Sequence, residues 1–176
     1  MRNWEPMIVP GLLQTEAYMR ALFATSVSPD PQQARLERAV SLRLARQRRL
    51  TGPAAPLTFA AIIDESVVHR RIGDGTVMTD QLRHLIAMSQ LPNVTLQILP
   101  FSAGEHPLLG RSAAILEFAE APDLNVVYVE GFARTRQYRR QPAEVAHYQQ
   151  AFEQLSSLSL DDRLSVKLIE SLLPEA

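Results

Sequence analysis

Cysteine is absent from the 176 residues. That excludes disulfide staples, thiolate nucleophiles and cysteine-based zinc sites, and it fits a reducing compartment such as the cytoplasm. Apolar runs are short. None approaches the roughly 18 residues a membrane helix needs, and no basic, apolar, small-residue leader is present, so a cytoplasmic chain with no membrane span is expected. Lysine is nearly missing too: of the 18 Lys and Arg residues only Lys167 is lysine. Forked guanidinium groups suit phosphates and carboxylates, and a genome whose codons favour arginine, alanine and proline produces the same bias. The motifs of common catalytic chemistries are also lacking. There is no Gly-x-Ser-x-Gly, no phosphate loop, no dinucleotide fingerprint and no histidine-carboxylate set at metal-ligand spacing. No catalytic residue, metal or cofactor is assigned on this basis.

What is present reads as one folded domain over residues 1–176. A composition of 46% hydrophobic and 21% charged residues with a net charge of −1 is that of an ordinary globular chain. Leu12, Met19, Leu22 and Phe23 fall on one helical stripe that runs to about Thr25, with Tyr18 at its edge. Pro29 and Pro31 break the chain before "QQARLERAVSLRLARQRRL", a longer helix closed by Gly52, Pro53 and Pro56, so residues 1–52 are expected to be helical. A sheet-containing core follows over residues 57–131. "LTFAAIID" reads as a buried strand and "ESVVHRRIG" as a short helical turn. "VMTDQLRHLIAMSQL" reads as an amphipathic helix with Met78, Leu82, Leu85 and Ile86 on one side and Thr79 as its cap. "VTLQILP", "SAAILEF" and "NVVYVEG" read as three further strands. Helices fill residues 142–173, the second capped by Asp161 or Asp162. A strand, a helical crossover and a strand give a parallel pair, and the two short loops that follow give antiparallel neighbours. The expected fold is α/β of the mixed α+β kind, a small mixed sheet of about four strands covered by N-terminal and C-terminal helices.

Candidate functional residues stand out as polar groups where apolar ones belong. On the second helix Leu36, Ala39, Val40, Leu44 and Leu50 share a face, and Arg43 and Gln47 project from its middle. A guanidinium among leucines must be paired or reach water. Either Arg43 meets an anion in a pocket or subunit interface, or it snorkels or pairs with a neighbour such as Glu16. Strand ends supply a second set. Asp64 and Glu65 end one strand, Phe101 to Pro107 with His106 follow another, and Glu130 ends the last after Tyr128. If these ends converge they line one cavity, fit to bind an amine or, through Asp64, Glu65, His106 and Glu130, to run acid–base chemistry of the isomerase or cyclase type. A third set is "ARTRQYRRQ", where Arg134, Arg136, Arg139 and Arg140 surround Tyr138. It suits nucleic acid or a phosphorylated ligand, and equally a solvated loop before a helix at Pro142. The near-neutral net charge argues against nucleic acid.

The blocks "WEPMIVPGLLQTEAY", "RLARQRRLTG", "IIDESVV", "QLRHLIAMSQLPNVTLQILPFSAGEHP" and "VVYVE" resemble, in this order, the C-terminal domain of unknown function of actinobacterial Xre-type helix-turn-helix regulators, an antitoxin-like group known from streptomycetes. The resemblance spans Trp4 to about Leu172. It implies a regulatory module that senses a small-molecule effector or a small partner protein and forms a homodimer. DNA is then reached only through a separate N-terminal helix-turn-helix domain, which these residues do not include. It also makes "WEPMIVPGLLQT" the junction at which the chain enters the module, and adds Gln14 to the ligand-binding candidates. Two departures from the family pattern stand out. After "AGEHP", where an aromatic residue is expected to enter the next strand, this chain has Arg111 and then the small Ala113 and Ala114, which widen any cavity there. After Glu130, where a short acidic or neutral hairpin is expected, the arginine-rich segment follows.

Overall fold

A computed structural model describes residues 1–24, 32–53, 55–130 and 136–174. Its strands are β1 (Arg2–Glu5), β2 (Phe59–Asp64), β3 (Val94–Leu99), β4 (Ala113–Leu116), β5 (Val126–Glu130) and β6 (Arg136–Arg139). They form one sheet in the order β3-β2-β1-β4-β5-β6. The helices are α1 (Glu16–Ala24), α2 (Gln32–Thr51), α3 (Glu65–His69), α4 (Gly75–Ser89), α5 (Pro142–Leu158) and α6 (Asp162–Ser171). Among the described residues no helix is long and apolar enough to cross a membrane.

The mixed α/β class is as the sequence implies, but the sheet has six strands where about four are expected, and the two additions are β1 and β6. The first is the more consequential. β1 runs parallel to β2, with Trp4 opposite Ile62, and antiparallel to β4, with Asn3 opposite Ala114. The segment that reads as a junction is therefore the middle of the sheet. Together with β2 it stands between β3 and β4, which the short-loop argument makes neighbours. The parallel β2–β3 pair and the antiparallel β4–β5 pair form as their connections require. The arginine-rich stretch is an edge strand rather than a loop, with Tyr128 opposite Tyr138 and Glu130 opposite Arg136; its Arg134 lies outside the described residues.

Each face of the sheet buries its own cluster. On one face Trp4, Ile62, Ile115 and Val127 pack under Phe152 and Leu155 of α5. On the other Ala61, Ile63, Leu96 and Ile98 meet Leu13, Tyr18, Leu50 and Leu85. Tyr18 is fully buried rather than at the edge of a stripe. The expected first helix is two elements, a 3-10 turn at Gly11–Leu13 and then α1. Asp74, not Thr79, caps α4, its carboxylate accepting from the Val77 N–H at 2.9 Å, and Asp161 caps α6 in the same way through the Leu164 N–H at 2.7 Å. The outer edge of β3 is covered in part by α6 and the segment before it. The Ile98 N–H donates to Ser165 Oγ and its carbonyl accepts from the Leu160 N–H, each at 2.9 Å, which interrupts the open ladder that makes edges prone to mispairing.

Trp4 is fully buried, and its indole N–H donates to the Leu108 carbonyl at 3.2 Å. Trp4→Ala is expected to cost about 3–5 kcal/mol, read as a lower midpoint of urea unfolding followed by far-ultraviolet circular dichroism. Leu42→Ala, at a position 55% exposed on α2, is expected to change stability by less than about 0.5 kcal/mol.

Candidate functional site

Arg43 and Gln47 of α2 reach a turn, not a salt bridge. Gln47 Nε2 donates to the carbonyls of Gly11 (3.0 Å) and Gln14 (2.7 Å). Arg43, one helical turn earlier, donates from Nη1 to Gln14 Oε1 at 2.6 Å, and Gln14 Nε2 donates to the Val9 carbonyl at 2.6 Å. From α4 the fully buried Gln81 grips the same turn, donating to the Leu13 carbonyl and accepting from the Thr15 N–H, both at 2.7 Å. Three side-chain amides thus satisfy backbone groups that burial would otherwise leave unpaired. The expected partner Glu16 is bonded instead to Arg20. Arg43 also lies over the Phe23 ring, 5.0 Å from its centroid. The fit is tight enough that a Cβ on Gly11 would stand 3.3 Å from Arg43 Nε, so glycine here lets the guanidinium pass close to the backbone.

Between this clamp and the sheet lies a half-enclosed cavity of about 430 Å³. Its floor comes from alternate residues of adjacent strands. Asn3, Ala114 and Tyr128 are in register across β1, β4 and β5 and so present one face. Glu5, two residues past Asn3, extends the floor, and α2 borders the cavity with Arg43, Arg46 and Arg49. Ala113 and Ala114 both border it, and at Ala114, opposite Asn3, a larger side chain would enter it, whereas the side chain of Ala113, opposite Trp4, lies on the other face. A wider depression near α3 and α4 exists, but its titratable groups, among them His69, Asp74 and Asp80, are exposed.

Glu5 is the unusual group. Burial pushes its carboxyl up to about 7, the charge of Glu130 adds to the rise, and the Asn3 amide and Arg43 pull against it. The amide N–H of Asn3 itself donates to the Ala113 carbonyl at 3.1 Å. Burial, and then the like charge of Arg46, lower the pKa of Arg43. Near neutral pH the cavity therefore holds a partly protonated carboxyl beside a desolvated cation.

The strand-end candidates do not meet in this cavity. Asp64 caps α3, accepting from the Ser66 N–H at 2.9 Å, and Glu65 accepts from the Phe101 N–H at 2.7 Å. The Phe101 ring is exposed and stacks on His69, with centroids 5.9 Å apart. His106 sits edge-on to Trp4 on the α5 side of the sheet at 5.1 Å; its Nδ1 is buried without a partner, and burial lowers its pKa against the opposing effect of Asp64. Arg111 is exposed. Glu130 is exposed at the end of β5, near enough to act on Glu5 and Arg43. Of the named candidates Arg43 and Tyr128 border the cavity, Gln14 and Gln47 hold Arg43 and its turn in place, and Asp64, Glu65, Phe101 and His106 form other contacts. Asn3, Glu5, Arg46 and Arg49, which also border the cavity, do not stand out in the sequence. Their signal was weak: Asn3 and Glu5 alternate with Trp4 in a four-residue strand, and two arginines on a helix look solvated.

A family model described as Domain of unknown function (DUF5753) matches residues 1–171. No curated protein and no solved structure matches the chain.

The raised carboxyl makes a pH prediction. A carboxyl that titrates at about 7 when folded and at 4.5 when free favours the folded state below 4.5, and that contribution is lost as pH rises to about 7. Glu5→Gln is expected to remove this loss, so that relative to the wild type it gains roughly 3 kcal/mol of stability between acid and neutral pH. Urea unfolding of both proteins across that range checks it, and parallel curves would contradict the burial.

Proposed function

We propose a sensing role for this chain, which belongs to the family Domain of unknown function (DUF5753): the cavity between α2 and the β1-β4-β5 half of the sheet binds a small-molecule effector. The observation that carries this reading is a cavity of about 430 Å³ that pairs apolar walls with a few placed polar groups, Asn3, Glu5, Arg43 and Tyr128. That size and that mixture are typical of metabolite sites.

The setting we assign is transcriptional regulation, because the chain resembles the C-terminal domain of actinobacterial Xre-type helix-turn-helix regulators. A ligand shifts a conformational equilibrium only by binding its states unequally. Here the unequal element is α2, whose height above the sheet is set through Arg43 and Gln47 by the Gly11–Gln14 turn. An occupant that draws on the arginines of α2 would move that helix against the turn. Self-association of two such modules would carry the movement to paired DNA-binding heads.

Native mass spectrometry of the chain purified from bacterial cells tests the reading. A small-molecule adduct is expected on the wild type and not on Ala114→Phe, which puts a ring into the cavity floor. An adduct that survives in Ala114→Phe, or none on either protein, would contradict it.

A further inference from the structure

The sensing cavity is charged unevenly. Three guanidinium groups, of Arg43, Arg46 and Arg49, border it against one lining carboxyl, that of Glu5, with the exposed Glu130 acting from nearby. Arg43 is committed to Gln14 and to the Phe23 ring. Arg46 and Arg49 are not: among the described residues neither side chain has an ion pair or hydrogen bond. Both are exposed at the cavity's edge, one helical turn apart on α2. Two unneutralised cations beside a third repel one another, and an anion placed between them relieves that repulsion. The walls below them are apolar, formed by Leu12, Leu57 and Leu116.

We propose that the cavity takes an amphipathic organic acid, its anionic head held between Arg46 and Arg49 at the mouth and its apolar body laid against Leu12, Leu57 and Leu116. This rests on the sensing role assigned to the same cavity. A cationic ligand would add its charge to three guanidiniums, and a neutral one would leave Arg46 and Arg49 unpaired.

Isothermal titration of the full chain with octanoate, octylamine and octanol, alike in body and different in head, tests the proposal. Octanoate is expected to bind one per chain and about ten-fold tighter than either of the others. The double variant Arg46→Gln, Arg49→Gln is expected to lose that preference while keeping the wild-type circular dichroism spectrum and thermal midpoint. Arg43 is left intact because it holds the turn. The proposal is overturned if octylamine or octanol binds as tightly as octanoate, or if the double variant keeps the preference. Where binding of any probe disappears in Ala114→Phe, the sensing role stands even if the acid does not. Where no probe binds, or binding ignores Ala114→Phe, both fall.

Discussion

Residues Arg2–Glu5 pair with both halves of the sheet, parallel to β2 on one side and antiparallel to β4 on the other. Without that strand the parallel and antiparallel halves have no common ladder. Because side chains alternate along a strand, the same four residues also serve both faces. Trp4 enters the apolar layer under α5, whereas Asn3 and Glu5 turn toward α2. A tryptophan fills space, and a carboxyl kept from water resists close packing by apolar groups. With Ala114 as the next residue across the sheet, the α2 side is left under-filled, and the cavity is the result.

The cavity keeps its shape because the turn above it is tied from two directions. Gln47 and Arg43 pull on Gly11–Gln14 from α2, and Gln81 pulls from α4. Each of these bonds is worth little net, but each is costly to leave unmade once buried. The turn is therefore tied both to α2 and to α4.

The helix periodicities are legible in the sequence, and so is the anomaly they expose. Val40 and Leu50 are buried where the stripe puts them, with Arg43 and Gln47 between. What an intruding polar residue faces is not legible. Gln14 and Gln47 look like ligand contacts and in fact serve backbone groups: Gln14 bonds the Val9 carbonyl in its own turn, and Gln47 reaches back past α1 in the chain to the carbonyls of Gly11 and Gln14, a contact that leaves no trace in local spacing. Asp64 serves a backbone group too, but a local one, as the cap of α3. The strands β1 and β6 escape a pattern search because "RNWE" and "RQYR" are short and polar. Tertiary pairing, not intrinsic preference, makes them strands. Of the two small residues at Ala113 and Ala114, Ala114 lies in the cavity floor, and Ala113, opposite Trp4, turns its side chain to the other face.

The claim at the centre of this account is that Glu5 sits in a desolvated site shaped for a ligand. Carbon-13 NMR of the Glu5 side-chain carboxyl, followed through a pH titration of the whole chain, tests it most directly. The account predicts a midpoint near 7, where burial puts it. A midpoint in the ordinary glutamate range, about 4.3, would mean that water reaches the carboxyl freely and would contradict the account.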